Sequence, residues 1–240
     1  MTAVVDVLLT PHPRAATDVS IVVDCVRAST VVAHALSAGY RRVVCVAELE
    51  QAQAVAAQLP GSVLAGERDC LRVEGFALGN SPAEYREARG EVLVLCTTNG
   101  TRAVMANAPR SRTLLCGALV NLDAVALAAG DATRVTVCCA GVEGSPALDD
   151  TYAAGRYVQR LIELRPEREL TDAAAIAFAT AERFASPQAA LEASASARRL
   201  RAAGLEADLE ACAQVSTLDV VPRMLALTDD RAELAADPSR

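Results

Sequence analysis

Over its first 140 residues the chain alternates short apolar runs with helix-like segments, and this alternation limits the fold more than any other feature. Residues 20–24 (Ser-Ile-Val-Val-Asp), 42–46, 63–65, 91–95, 112–116 and 134–139 read as strands, being short and rich in aliphatic residues. Residues 29–39, 48–58, 100–107 and 121–129 read as the helices between them. Ser29 or Thr30 can cap the first helix, Gly39 can stop it, and Pro60-Gly61 ends the second. Strands and helices in this order pack as a mostly parallel or mixed sheet with helices on both faces, a three-layer α/β/α arrangement. From 147 to 213 the composition is mostly helical, with breaks near Pro166, Pro187 and Gly204; residues 218–227, with Pro222, read as a late strand or a packing arm. No repeat, low-complexity tract or linker divides the 240 residues. One α/β domain over 1–240 with a helical C-terminal part is the expectation.

In open α/β sheets, ligands bind beyond the carboxyl ends of the strands. Four polar clusters fall there. In the first, Asp24-Cys25-Val26-Arg27-Ala28-Ser29-Thr30, an acid at a strand end precedes an arginine and two hydroxyls. Asp24 can hold a hard cation, Arg27 can pair with phosphate oxygens, and Ser29 and Thr30 can donate from the helix start. The alternative is local: Asp24 pairs with Arg27, and Ser29 only caps the helix. The second cluster is Glu67-Arg68, a surface pair unless it faces the same edge. The third is Thr97-Thr98-Asn99-Gly100-Thr101-Arg102, where a strand enters a helix through hydroxyls and a glycine, a ready anion cradle. The fourth is Glu143, with Asp149 and Asp150 shortly after it. These three acids are either metal ligands or bases facing the cleft, or partners of a helix dipole.

Cys96 and Arg102 have the spacing of a cysteine-phosphatase loop. Cys96, however, continues an apolar strand, and Leu95 stands where a histidine would precede the nucleophile, so the cradle is preferred to the thiolate. Of the two histidines, His12 lies between prolines and His34 on the first helix, where a structural role is expected. Acid–base work then falls to carboxylates or to water activated by a metal. All 23 basic residues are arginine, which excludes a Walker lysine, a Schiff base and a pyridoxal-phosphate lysine. Arg198-Arg199-Leu200-Arg201 reads as a solvated helix face. The eight cysteines show no repeated pair spacing and read as core thiols rather than a zinc site. A net charge of −7 argues against a nucleic-acid partner. No apolar run is long enough to span a bilayer, and the N-terminus lacks a signal-peptide pattern, so a cytoplasmic protein without a membrane partner is expected.

Several stretches together resemble the 2-phosphosulfolactate phosphatase family. They are Val23-Asp24-Cys25-Val26-Arg27-Ala28-Ser29-Thr30, Gly66-Glu67-Arg68, Gly75-Phe76-Ala77-Leu78-Gly79-Asn80-Ser81-Pro82, Thr97-Thr98-Asn99-Gly100-Thr101, and Cys139-Ala140-Gly141 with Glu143-Gly144 and Asp150-Thr151. They keep the family's order over about residues 20–155, and Val220-Val221-Pro222 extends the likeness. The resemblance implies a magnesium-dependent phosphomonoester hydrolase acting on 2-phospho-3-sulfolactate, with sulfolactate and inorganic phosphate as products, as in coenzyme M biosynthesis. In this reading Asp24 and Glu67 hold Mg²⁺, with Asp150 or Glu143 as further ligands or bases. Arg27 and the Thr97–Thr101 turn, with Ser29 and Thr30, hold phosphate; Arg68 and Asn80-Ser81 take the sulfonate or carboxylate. The chain departs from the family pattern at Cys25, at Asp69-Cys70 where glycines are common, at Ala77 where aspartate is frequent, and at Asp149. Another small phosphorylated hydroxy acid as substrate, or a non-catalytic anion-binding paralogue, are the alternatives, and homo-oligomerisation stays open.

Overall fold

The computed structural model describes residues 2–12 and 15–237. Met1, Pro13, Arg14 and residues 238–240, and with them both ends of the expected 1–240 domain, lie outside the described residues. The chain opens with β1 (Val4–Leu8), a strand the sequence reading did not anticipate, then β2 (Thr17–Val23) and α1 (Ala28–Ser37). β3 (Arg42–Val46), α2 (Leu49–Gln58) and β4 (Val63–Arg68) follow, and β4 turns into the two-residue β5 (Leu71–Arg72). After an irregular stretch come β6 (Val92–Cys96), α3 (Gly100–Asn107), β7 (Ser111–Gly117), α4 (Leu122–Ala129) and β8 (Arg134–Cys139). The helical part holds α5 (Leu148–Leu164), the short β9 (Glu169–Leu170), α6 (Asp172–Arg183), α7 (Pro187–Glu192), α8 (Ala195–Ala202) and α9 (Asp208–Cys212). A hairpin, β10 (Pro222–Leu227) and β11 (Ala232–Ala236), closes it. The "late strand or packing arm" is therefore a strand, and its partner β11 went unread because its sequence, Ala-Glu-Leu-Ala-Ala, has weak strand propensity.

Among the described residues the strands form one sheet in the order β5-β4-β6-β3-β11-β10-β7-β2-β8-β1-β9. β4, β6 and β3 pair in parallel, as do β7, β2, β8, β1 and β9. The C-terminal hairpin fills the gap antiparallel, β11 against β3 and β10 against β7. The sheet is thus mixed, and the hairpin covers two edges that would otherwise expose unpaired backbone.

Both faces are covered by helices. In β2, Ile21 and Val23 join the core beneath α4, α5 and α6, while Val22 joins the opposite core beneath α1 and α3. That is why these strands read as continuous apolar runs rather than alternating ones. α2 packs Ala52 and Val55 on Val44 and Val94. α5 and α6 meet at Gly155, where a β-carbon would collide with the Ala177 carbonyl. Most important for the site, α3 leaves β6 and crosses the sheet face to touch β2, although four strands separate β6 from β2 in the pairing order. The carboxyl ends of the two parallel groups are thereby brought together.

Candidate active site

A cleft of about 490 Å³ opens at the carboxyl ends of β2, β4, β6 and β8, the edge expected from the sequence. Asp24, Arg27, Glu67, Asn80, Thr97, Thr98, Asn99 and Glu143 line it. Asp24 lies just beyond β2, and its Oδ1 accepts from the Ala28 N–H at the start of α1 (3.1 Å). Its backbone is pinned as well: the Asp24 N–H donates to Ser29 Oγ (2.8 Å) and the Asp24 carbonyl accepts from the Ser29 N–H (2.9 Å). The N-terminus of α3 presses against this carboxylate through Gly100. A β-carbon there would sit 2.9 Å from Asp24 Oδ2 and 2.8 Å from Ala28 Cβ. Asn99 occupies the cap position of α3 without a side-chain hydrogen bond to the helix.

Glu67, near the end of β4, faces the same cleft. Its Oε1 accepts from the Thr98 hydroxyl (2.9 Å) and the Thr98 N–H (3.2 Å), and its Oε2 accepts from the Cys70 N–H (3.0 Å). Asp69 and Cys70, which form the β4–β5 turn, both have left-handed backbone (φ 52° and 69°), which explains why glycines suit these positions. Asn80 is buried, and its Oδ1 has no hydrogen-bond partner, an unusual state for a buried amide at the wall of a cleft.

The carboxylates influence one another. Burial pushes the Asp24 carboxyl up to about 7; the charges of Asp149 and Glu67 add to the rise, while the Ala28 N–H and Arg27 oppose it. Asp149 is pushed up to about 6, mainly by burial, with the Ser196 hydroxyl (3.1 Å) opposing. Asp150 is raised well above the ordinary range by burial and by Asp149 and Asp24. The Asp24 and Glu67 carboxylates and the unpartnered Asn80 amide oxygen, which share the cleft wall, are hard donors of the kind Mg²⁺ accepts. Among the described residues no three acidic, histidine or cysteine side chains form a closed metal cage.

Several residues named from the sequence are placed elsewhere. Arg27 lines the cleft, but its guanidinium is committed to Asp208 Oδ2 (2.6 Å) and the Cys70 carbonyl (2.6 Å). Its partner is thus neither Asp24 nor a free phosphate position. Ser81 also turns to Asp208, donating to Oδ1 (2.6 Å). Ser29 and Thr30 are buried and do not line the cleft; the Thr30 hydroxyl donates to the Cys25 carbonyl (2.8 Å). Arg68 turns beneath the strand ends, donating to the carbonyls of Glu67 (2.8 Å) and Ala47 (3.0 Å). Thr101 pairs with Thr97 (3.3 Å). Asp150 does not reach the cleft: it accepts from the N–H groups of Cys25 (2.8 Å) and Gly141 (2.9 Å), bracing the β2 and β8 ends together. Glu143 sits on the rim, paired with Arg199 at 2.8 Å.

Cys96 is fully buried under the Arg68 guanidinium (3.4 Å), and burial raises its thiol above the usual range, so the structure speaks against a thiolate nucleophile. All eight cysteines are free thiols. His34 belongs to a separate hollow beside Pro82 and Tyr85. The Arg198–Arg201 stretch is helical, as expected, but it is not wholly a solvated face: Ser196, Arg199 and the buried Leu200 of α8 form one wall of the cleft. The arginine run was the available signal, but nothing local tells which face of α8 turns inward.

The sequence model of the 2-phosphosulpholactate phosphatase family matches residues 7–226. A Thermus thermophilus protein named "Probable 2-phosphosulfolactate phosphatase" is 40% identical over 225 residues, covering 91% of this chain and 92% of its own. Proteins of the same name from Carboxydothermus hydrogenoformans (36% over 221 residues, 91% and 92% covered) and Deinococcus radiodurans (36% over 212 residues, 87% and 88% covered) are similar in extent.

Proposed function

The chain belongs to the 2-phosphosulpholactate phosphatase family, and from that premise we propose that it hydrolyses 2-phospho-3-sulfolactate to 3-sulfolactate and phosphate with Mg²⁺. The observation that carries this reading is the meeting of Asp24 and Glu67 in one cleft beside the uncapped N-terminus of α3. Asp24 and Glu67 would hold the ion. When bound, it neutralises phosphate oxygens and makes phosphorus a better electrophile. Thr97, Asn99 and the first N–H groups of α3 orient the phosphate, since a helix N-terminus favours an anion. Thr98 positions Glu67 rather than substrate, because both its donors already serve that carboxylate. Arg27 holds the β4–β5 turn against α9 through Cys70 and Asp208, and so shapes the wall on which Glu67 stands.

In the reaction, water adds its oxygen to phosphorus, the bond from phosphorus to the C2 oxygen of the lactate breaks, and that oxygen leaves carrying a proton. A role in the cytoplasm, supplying sulfolactate for coenzyme M biosynthesis, is part of the same proposal, as is one domain over 1–240. No helix among the described residues is long and apolar enough to cross a membrane.

The test is phosphate release from 2-phospho-3-sulfolactate by the purified full chain, with Mg²⁺ and with EDTA. Release that needs Mg²⁺ and is abolished by Asp24→Asn is expected. Binding without release at any Mg²⁺ concentration makes the protein an anion-binding paralogue. Full turnover by Asp24→Asn overturns the metal assignment.

A further inference from the structure

The cleft has an unbalanced charge. Asp24, Glu67, Asp69 and Glu143 line it with four carboxylates, against two arginines, Arg27 and Arg199. The substrate proposed above would bring a phosphate together with a carboxylate and a sulfonate. Phosphate has the α3 terminus and an Mg²⁺ site on Asp24 and Glu67; the other two anions then face Asp69 and Glu143 and need a cation of their own. Arg27 is poorly placed for that. It is 4% exposed, and two of its nitrogens are used by Asp208 and the Cys70 carbonyl, so releasing it would strand a buried carboxylate.

Arg199 differs in each respect. It projects from α8, and its side chain is 50% exposed. Its ion-pair partner, Glu143 across the rim, is 75% exposed. An ion pair so solvated contributes little and is readily exchanged. The planar guanidinium fork matches two oxygens of a carboxylate or sulfonate. Leu200 and Ala202 of α8 and the following Ala203 are apolar, and the one hydroxyl that α8 brings to this wall, on Ser196, is given to Asp149.

We propose that Arg199 is the specificity-determining residue for a second anionic group on the substrate, exchanging its rim partner Glu143 for that group's oxygens. This rests on the phosphatase reading. It assigns to α8 the recognition of the substrate's non-phosphate end.

The experiment compares wild type, Arg199→Gln and Arg199→Lys on three phosphoesters: 2-phospho-3-sulfolactate, 2-phospholactate (carboxylate only) and phosphoisethionate (sulfonate only). Competitive inhibition by inorganic phosphate is measured alongside. Arg199→Gln is expected to lower kcat/KM for 2-phospho-3-sulfolactate about 10–100-fold, as for loss of a charge-assisted hydrogen bond. The loss should come mostly from a raised KM, with partial rescue by lysine and an unchanged Ki for phosphate. The single-anion ester that shares the loss identifies the group recognised. An unchanged kcat/KM, or a phosphate Ki that rises in parallel with the KM, overturns the proposal. Should the wild type release phosphate from none of the three, the phosphatase reading fails, and Arg199 is then judged by thermal shift. Stabilisation by 3-sulfolactate that exceeds that by lactate and disappears in Arg199→Gln upholds it; stabilisation absent from the wild type, or unchanged in the variant, overturns it.

Discussion

Asp24→Asn should make this protein more stable at alkaline pH while abolishing its chemistry. The Asp24 carboxyl is raised from an ordinary 3.8 to about 7, chiefly by burial, with Asp149 and Glu67 adding repulsion. A carboxyl raised on folding binds its proton more tightly in the folded state. Its effect on stability is therefore neutral below the unfolded value. Stability is then lost as pH rises from about 4 to about 7, and above that the penalty is constant. At 1.36 kcal/mol per pKa unit, the full penalty is about 4 kcal/mol. Asparagine has nearly the same shape, can accept from the Ala28 N–H through Oδ1, and has no charge to desolvate. Urea denaturation at pH 4 should give wild type and variant similar stabilities. At pH 8 the variant should lead by a few kcal/mol, or roughly 10 °C in Tm for a chain of this size. Saturating Mg²⁺ at pH 8 should narrow the gap by stabilising the wild type. A variant no more stable than wild type at pH 8, or a lead equally large at pH 4, would refute the reasoning. Such a result would mean that Asp24 is solvated or already neutralised in the folded protein. The pattern expected is an active-site acid held at the expense of stability.

Other perturbations have equally definite outcomes. Gly100→Ala inserts a methyl between Ala28 and the Asp24 carboxylate; it should cost about 1–3 kcal/mol in urea melts and reduce kcat, because Asp24 must move. Cys96→Ser should retain EDTA-sensitive activity, and thiol alkylation of the native protein at neutral pH should spare Cys96, whose thiol is buried and raised; inactivation that tracks its modification would count against this. Arg27→Met leaves the buried Asp208 carboxylate with Ser81 alone as a side-chain partner among the described residues and should destabilise by about 3–5 kcal/mol, measured by denaturant midpoint at constant m. Cys70→Val places a β-branched residue at a φ of 69° and should cost about 1–2 kcal/mol, whereas glycine at Asp69 or Cys70 should be tolerated.

How much of the site could be read without coordinates depends on the range of the interactions. Asp24 and Thr97 to Asn99 were legible because each lies at or just past the end of a strand-like run, and the end of a parallel strand is a local property. Glu67 was weaker as a local signal, since β4 extends through Arg68 and its last residues look like turn residues. Arg68 and Arg27 illustrate the limit. Their residue type suggested anion binding, but their partners, the Ala47 carbonyl and Asp208, lie 21 and 181 residues away along the chain. Asp150 sits in the first turn of α5, as expected, yet its carboxylate braces two loops instead of entering the cleft.

The alternation of apolar runs and helical segments was sufficient for an α/β sheet covered on both faces, and for the edge at which its polar turns gather, because periodicity and strand ends are written in neighbouring residues. Three further facts required the folded chain: the C-terminal hairpin that joins two parallel groups of strands, the passage of α3 across the sheet to set Gly100 against Asp24, and the inward turn of α8 that brings Arg199 to the cleft. Each depends on contacts between segments far apart in sequence, where packing and backbone pairing, rather than local preference, choose the partner.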